Sequence, residues 1–275
     1  MANSPFILVL NAAEGLLHII IARQEEDGKY TRLCAQGWHA PSQGAELLAP
    51  ALADALQRLR ITPQDIGRIA VVRGPGSFTG LRLVLATASG LARATGALRA
   101  GLDYLPLLAA NALHATPTTC DSPRRAWVFT HARRDLVHMQ GFEEQPHTPF
   151  ALRRICEVLV CPPEEAALYL NRFEAEQSGR AEGAAAPLAL GSGLTRNREF
   201  FARTLRTSLL LPPSFDHPSF DTLLKAATDA IYDAADPEPL YIRPADAIDN
   251  LERIAASLGL EPEAAKLRLH ELTTN

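Results

Sequence analysis

The sequence predicts an α/β fold in two related halves. Three observations carry that prediction: a βββαβα opening, a glycine-rich turn that passes from a strand into a helix, and a second half that repeats the same ingredients. Phe6 to Leu10 and Leu17 to Gln24 are short β-rich runs separated by "NAAEG", and "EEDGK" turns the chain into a third run, Tyr30 to His39. Gly44 to Leu59 places Leu48, Leu52, Leu56 and Leu59 on one helix face, with Pro50 as a potential interruption. "TPQDI" has the residues of a capped turn before the apolar strand Arg68 to Val72, and a second helix starts inside "VVRGPGSFTGLRLVLATASGLARATG".

The second half reads more faintly. Residues 103–115 read as a helix, "AWVFTHARRDLVHMQGF" as a hairpin turning at "HARRD", and "PLALGSG" as a strand ending in a glycine-rich turn. A helix is expected over Phe220 to Ala235, and "EAEQSGRAEGAAAP" before it as a low-complexity surface loop. Residues 244–275 form a separate helical tail, with Ile248, Leu251, Ile254 and Leu258 on one stripe and a second helix from about Pro262. The expected organisation is therefore 1–100, 101–243 and a short helical appendage over 244–275.

Composition narrows the function classes. A chain of 275 residues, 47% hydrophobic and 21% charged, can bury a sizeable core. Its net charge of −4 supplies no broad attraction for a phosphate backbone, so nucleic acid is not the default direct partner. The opening residues lack a basic lead, and Asn11, Glu14 and His18 break their apolar runs, so the expectation is neither a signal peptide nor a membrane span but a cytoplasmic protein. Cys34, Cys120, Cys156 and Cys161 form no CxxC pair and are read as reduced thiols; the histidines form no HExxH pair, so no metal site is expected.

The chemistry concentrates in "RGPGSFTGLR". Gly74 and Gly76 permit backbone angles that a Cβ would forbid, Pro75 stiffens the turn, and Ser77 or Thr79 can cap the helix. Free N–H groups at such a helix start can hold an anion, which makes Gly74, Pro75, Gly76, Ser77, Thr79, Gly80 and Arg82 a candidate anion loop; the same residues also make a purely structural strand-to-helix turn. The helix carries Leu81, Leu85, Ala88 and Leu91 or Ala92 on one side and keeps Ala86, Ser89 and Gly90 small, so one face can pack on its own sheet and another can meet a partner.

"RGPGSFTGLR" followed by "ATASGLA" resembles the signature of the TsaB family, the non-catalytic partner in bacterial synthesis of threonylcarbamoyladenosine on tRNA. "THARRDLVH" is similar to that family's Asp-Ala-Arg/Lys hairpin, "LGSG" to its Gly-x-Gly turn and "EPLYIR" to its closing Pro-x-Tyr-Leu-Arg. The resemblance implies the actin-like, Hsp70-like ATPase fold with two ribonuclease-H-like halves, in a superfamily grouped with glycoproteases. It implies a docking face for TsaD, the paralogous catalytic subunit, on the helices near 44–59 and 79–95, with Leu48, Leu52, Leu85, Ala88, Ser89, Gly90 and Ala92 as interface residues. A TsaE-like ATPase joins the pair, tRNA is met indirectly, ATP is used by the partner subunits with no cofactor held here, and the lone chain can homodimerise.

Three departures bear on chemistry. Where the family usually has Asp-Thr-Ser after the first strand, this chain has Asn11, Ala12 and Ala13; the Asp before Ala-Arg is His131; and the His-Ser before the first long helix reads "SQGAELL". A neutral amide and two methyls do not replace a carboxylate and two hydroxyls in holding hydrated magnesium. The sequence therefore predicts a non-catalytic subunit. A stand-alone actin-fold ATPase or kinase, using Gly74 to Gly80 as its phosphate loop, is the alternative.

Overall fold

The computed structural model describes residues 4–39, 43–116, 123–133, 135–145, 151–178 and 185–242. It divides into a unit of Met1–Leu240 and a second of Tyr241–Asn275, of which only Tyr241 and Ile242 are described. The tail expected over 244–275 lies outside the described residues.

The opening follows the predicted order. Strands β1 (Phe6–Asn11), β2 (Leu16–Gln24) and β3 (Tyr30–His39) are antiparallel neighbours, Leu8 facing Ile21 and Ile20 facing Ala35. Helix α1 (Gly44–Leu59) runs through Pro50, which has no N–H to give the carbonyl of Glu46. A 3-10 turn, Pro63–Asp65, follows; the Asp65 carboxylate accepts from both the N–H and the hydroxyl of Thr62, at 2.7 and 2.8 Å. Strand β4 (Ile66–Gly74) lies parallel to β1, and helix α2 (Phe78–Thr95) leads to β5 (Leu98–Asp103), parallel to β4. The first sheet is ordered β3-β2-β1-β4-β5.

After helix α3 (Tyr104–Ala115) the pattern recurs. Strands β6 (Arg125–Arg133) and β7 (Leu136–Glu144) form the predicted hairpin, and the short strands β8 (Leu152–Arg154) and β9 (Leu159–Cys161) both pair antiparallel with β7. Helix α4 (Pro163–Ser178) precedes β10 (Leu188–Leu190), parallel to β6; helices α5 (Ser192–Arg196) and α6 (Arg198–Thr204) lead to β11 (Leu209–Leu210), parallel to β10. The second sheet, β8-β7-β6-β10-β11, thus repeats the order and strand directions of the first. This is the two-halved, ribonuclease-H-like arrangement of the actin-like fold.

Two expectations change. The last described helix, α7 (Phe220–Asp229), stops six residues short of Ala235, because the chain turns to pair Asp233 with Arg99 on the outer edge of β5. Part of the expected low-complexity loop is the end of α4: residues 174–178 are helical, and 179–184 lie outside the described residues. Glu174 is the reason for order there. It accepts from Trp127 Nε1 at 2.8 Å and from Arg125, anchoring the helix to β6. Cys34, Cys156 and Cys161 are free thiols, and Cys120 lies outside the described residues.

Three apolar clusters fill the layers. One lies between the sheets, where Ile7, Val9 and Ile20 meet Leu108 of α3, Leu223 of α7 and Val128, Leu188 and Leu190 of the second sheet. A second lies between the other face of the first sheet and helices α1 and α2; a third backs the second sheet beneath α4 and α6. Both sheets are covered on both faces, as parallel strands require.

Two glycines of α2 and its turn test this packing from opposite directions. A Cβ at Gly80 would run into the carbonyl of Ala12, whereas one at Gly90 would meet nothing. Gly80→Ala is expected to destabilise the chain by about 1–3 kcal/mol, and Gly90→Ala to stabilise it by about 0.5–1 kcal/mol. Urea unfolding of both variants checks the pair.

Candidate functional site

The residues that chemistry would need converge on the turn between β1 and β2, Ala12 to Gly15, which reaches two other loops. Towards α2, the carbonyl of Ala13 accepts the N–H of Ser77. The close approach is possible because Gly76 has no Cβ to strike that carbonyl. Ser77 in turn caps α2, its hydroxyl accepting from Gly80 N at 3.3 Å. Arg82 lies with its guanidinium 3.7 Å from the centre of the Phe78 ring. Thr79 is exposed, and Gly74 and Pro75 are buried. The glycine-rich loop is therefore clasped by the chain's own backbone, and the Ser77 amide that an anion would use is already bonded.

Asn11, in the position of the family's usual acid, is equally committed. Its Oδ1 accepts Ala13 N–H at 3.0 Å, and its Nδ2 lies 3.0 Å from His18 Nδ1. For Nδ1 to accept, the imidazole must be neutral with its proton on Nε2. Burial, with His217 nearby, agrees by pushing the His18 pKa down to about 4.

The same turn reaches the second sheet. Ser192, in the turn after β10, donates to Glu14 Oε1 at 2.6 Å and accepts the N–H of His131 at 2.9 Å. Glu14 Oε2 is shut away from solvent with no hydrogen-bond partner. Burial raises the Glu14 pKa to about 7, against the lowering effect of the Ser192 and Tyr104 hydroxyls, and Asp216 adds to the rise. The Tyr104 hydroxyl also lies 3.2 Å from His217 Nδ1, and Thr195 donates to Asp216 at 2.8 Å. Arg196 Nη1 stands 3.4 Å from His131 Nε2, and burial with that guanidinium lowers the His131 pKa. Among the described residues no group of three His, Cys, Asp or Glu side chains could hold a metal ion.

The sequence singles out the loop and Asn11 but assigns no site role to Glu14, His18, Tyr104, Ser192, Asp216 or His217, although a glutamate in a turn between two apolar strands is a visible signal. The residues expected at a partner interface separate into two groups. Leu48 and Leu52 of α1 and Ala88 and Ala92 of α2 are buried in the core between these helices and the first sheet, while Leu85 is half-buried beside it. Gly90 is exposed, and Ser89 is half-buried, donating to Asp236 at 2.8 Å.

Comparison with known proteins places this geometry. The chain aligns with YeaZ of Pseudomonas aeruginosa at a TM-score of 0.62 and 22% identity, over 86% of this chain and 100% of that one. A second P. aeruginosa structure, described as an uncharacterized protein with similarity to peptidase YeaZ, aligns at 0.63 and 21%, over 87% and 100%. The chain has the YeaZ fold. At the level of sequence, tRNA threonylcarbamoyladenosine biosynthesis protein TsaB of Bacillus subtilis is 37% identical over 65 residues, 24% of this chain. That stretch spans 28% of the relative's length. Residues 39–158 match the TsaD family model, described as tRNA N6-adenosine threonylcarbamoyltransferase. The resemblance to TsaB holds. The TsaD-matched stretch runs from the end of β3 through the glycine loop and the β6–β7 hairpin to the residue before β9, so it contains α2 and His131 but neither Asn11, Glu14 nor Ser192. Among the described residues no helix is long and apolar enough to cross a membrane.

Asn11→Asp provides a direct test of how this turn is wired. An aspartate can only accept from His18, so the imidazole must donate instead, and the His18 pKa should rise from about 4. A raised base is stabilising at low pH and loses that contribution as pH rises, so the variant should be weaker than the parent by about 1–3 kcal/mol at pH 8 and less so at pH 5. NMR titration of His18 and denaturation at the two pH values measure both.

Proposed function

We propose that this chain is a non-catalytic subunit in the synthesis of threonylcarbamoyladenosine on tRNA, pairing with a TsaD-like catalytic subunit. The observation that carries the reading is the filled loop: Ser77 N–H is bonded to Ala13, and both ends of the Asn11 amide are spent on Ala13 and His18. With the sequence likeness to TsaB, that supports a partner role over a stand-alone ATPase or kinase, whose phosphate loop would need those donors. The reaction, ATP use by a TsaE-like subunit and handling of tRNA then belong to the other members of the complex.

The docking face we propose is the outward side of α1 and α2. On α2 the exposed residues Arg82, Ala86, Gly90 and Ala94 recur every fourth position, and on α1 Ala45, Ala49 and Ala53 are exposed. A ridge of small side chains allows a partner helix to approach closely. Second copies of this chain could use the same face when the partner is absent.

Gly90→Arg should leave the isolated chain folded and weaken capture of a TsaD-like partner by about a hundredfold or more, since a long cation would be buried unpaired. Ala88→Glu should instead unfold the chain, because that methyl is fully enclosed. A pull-down titration and circular dichroism separate the two outcomes. Equal partner affinity for Gly90→Arg and the parent would remove α2 from the interface.

A further inference from the structure

The contact between Glu14 and Ser192 joins residues 178 positions apart across the seam between the sheets. Ser192 is the middle member of a relay, since its hydroxyl donates to Glu14 and accepts the backbone N–H of His131 on β6. The backbone of the Glu14 turn is also wired to α2 through Ala13 and Ser77. A change at the Glu14 carboxyl is thus felt at three places: the β1–β2 turn, the start of α5, and the N-terminus of α2.

The groups facing this carboxyl decide what its charge would meet. From α3 comes the Tyr104 hydroxyl; from α5, Ser192 and Thr195; from the segment before α7, Asp216 and His217; from β6, His131 with Arg196 against its ring; and from β2, beyond Asn11, His18. Asp216 is a like charge. His18, His131 and His217 are all held towards their neutral forms by burial. The groups that act on Glu14 therefore include hydroxyl and amide donors but no compensating cation, and of its two oxygens only Oε1 is hydrogen-bonded, while Oε2 is buried without a partner. An ionised carboxylate in that position carries a half-charge on an unsolvated oxygen, which costs far more than a neutral one.

We propose that Glu14 is a proton-operated latch between the two sheets, closed on Ser192 when the carboxyl is neutral and loosened at the β1–β2 and β10–α5 turns when it is ionised. The apolar core between the sheets stays closed in both states, so the movement is confined to these turns and to the helix starts they touch. The ligand of the device is the proton itself. The direction of the linkage follows from the raised pKa: the folded chain keeps a proton that the unfolded chain gives up, so the latch contributes fully below pH 4.5 and its contribution is lost as pH rises through 7. His18 works in the opposite direction, losing stability as pH falls from 6.5 towards 4, and partly offsets the latch in an unmodified chain.

Amide exchange on the full chain reads the latch at its own hydrogen bond. After correction for intrinsic exchange, protection of the His131 N–H should fall about tenfold between pH 6 and pH 8, the ratio set by closed and open pKa values near 7 and 4.5. In Glu14→Gln the protection should be the same at both pH values; in Ser192→Ala it should be low at both. Unchanged protection in the parent, or the same pH dependence in Glu14→Gln, would overturn the proposal. Should Glu14→Gln fail to fold, carbon-13 titration of the parent's Glu14 carboxyl decides it, with a midpoint near 7 supporting the latch and one near 4.5 refuting it.

Discussion

Everything around the glycine-rich loop depends on how closely the Ala12–Gly15 turn approaches the start of α2. The carbonyls of Ala12 and Ala13 stand where Cβ atoms would be if positions 80 and 76 carried side chains. Glycine at both is thus a packing requirement, and the Ser77 N–H satisfied by Ala13 is its hydrogen-bonding counterpart. Placing α2 this tightly against the first sheet fixes its roll about its own axis. Leu81, Val84, Ala88 and Ala92 face inward, and the ridge Arg82, Ala86, Gly90 and Ala94 faces outward.

A loop of this composition can cradle a phosphate only if its amides stay free. Here the chain has used the Ser77 and Gly80 amides to hold itself together, and Asn11 is a strut between Ala13 and a neutral histidine. The turn has the form of a phosphate cradle, while the Ser77 N–H, the Gly80 N–H and the Asn11 amide are satisfied internally.

The remaining polar groups in the core follow the same economy. Glu174 is satisfied by Arg125 and Trp127, and Asn111 accepts from Ser219 N–H and the Thr222 hydroxyl, tying α3 to α7. At the outer edge of β5, Asp233 pairs with Arg99, and Asp236 gathers Ser89, Arg93 and Arg99. That segment closes an edge that would otherwise offer unpaired backbone groups to another chain, and it steadies the C-terminal half of α2. Glu14 departs from this, as Gln36 and Ser208 do, but it is the one carboxyl among the described residues with a buried oxygen left over. A buried carboxyl of this kind, at a junction between the two sheets, is where a change of protonation has leverage.

The order of elements was legible in the sequence wherever a period ran long enough. The alternation in β1 to β3, the leucine repeat of α1 and the strand-to-helix signature before α2 identify the first half and its resemblance to TsaB, because strand and helix periods and turn residues are local properties. Strands of two or three residues such as β8, β9 and β11 carry no period, and α4 was hidden by a polar, small-residue composition that only Arg125 and Trp127, far away in the chain, bring to order through Glu174. On α2, small residues surround the helix, so the sequence could not tell the enclosed Ala88 from the open Gly90; the sheet beneath decides that. The pairing of Glu14 with Ser192 likewise belongs to tertiary structure alone. A carboxyl's hydration and hydrogen-bond partners are set by groups that folding brings in from distant positions, and no local pattern encodes them.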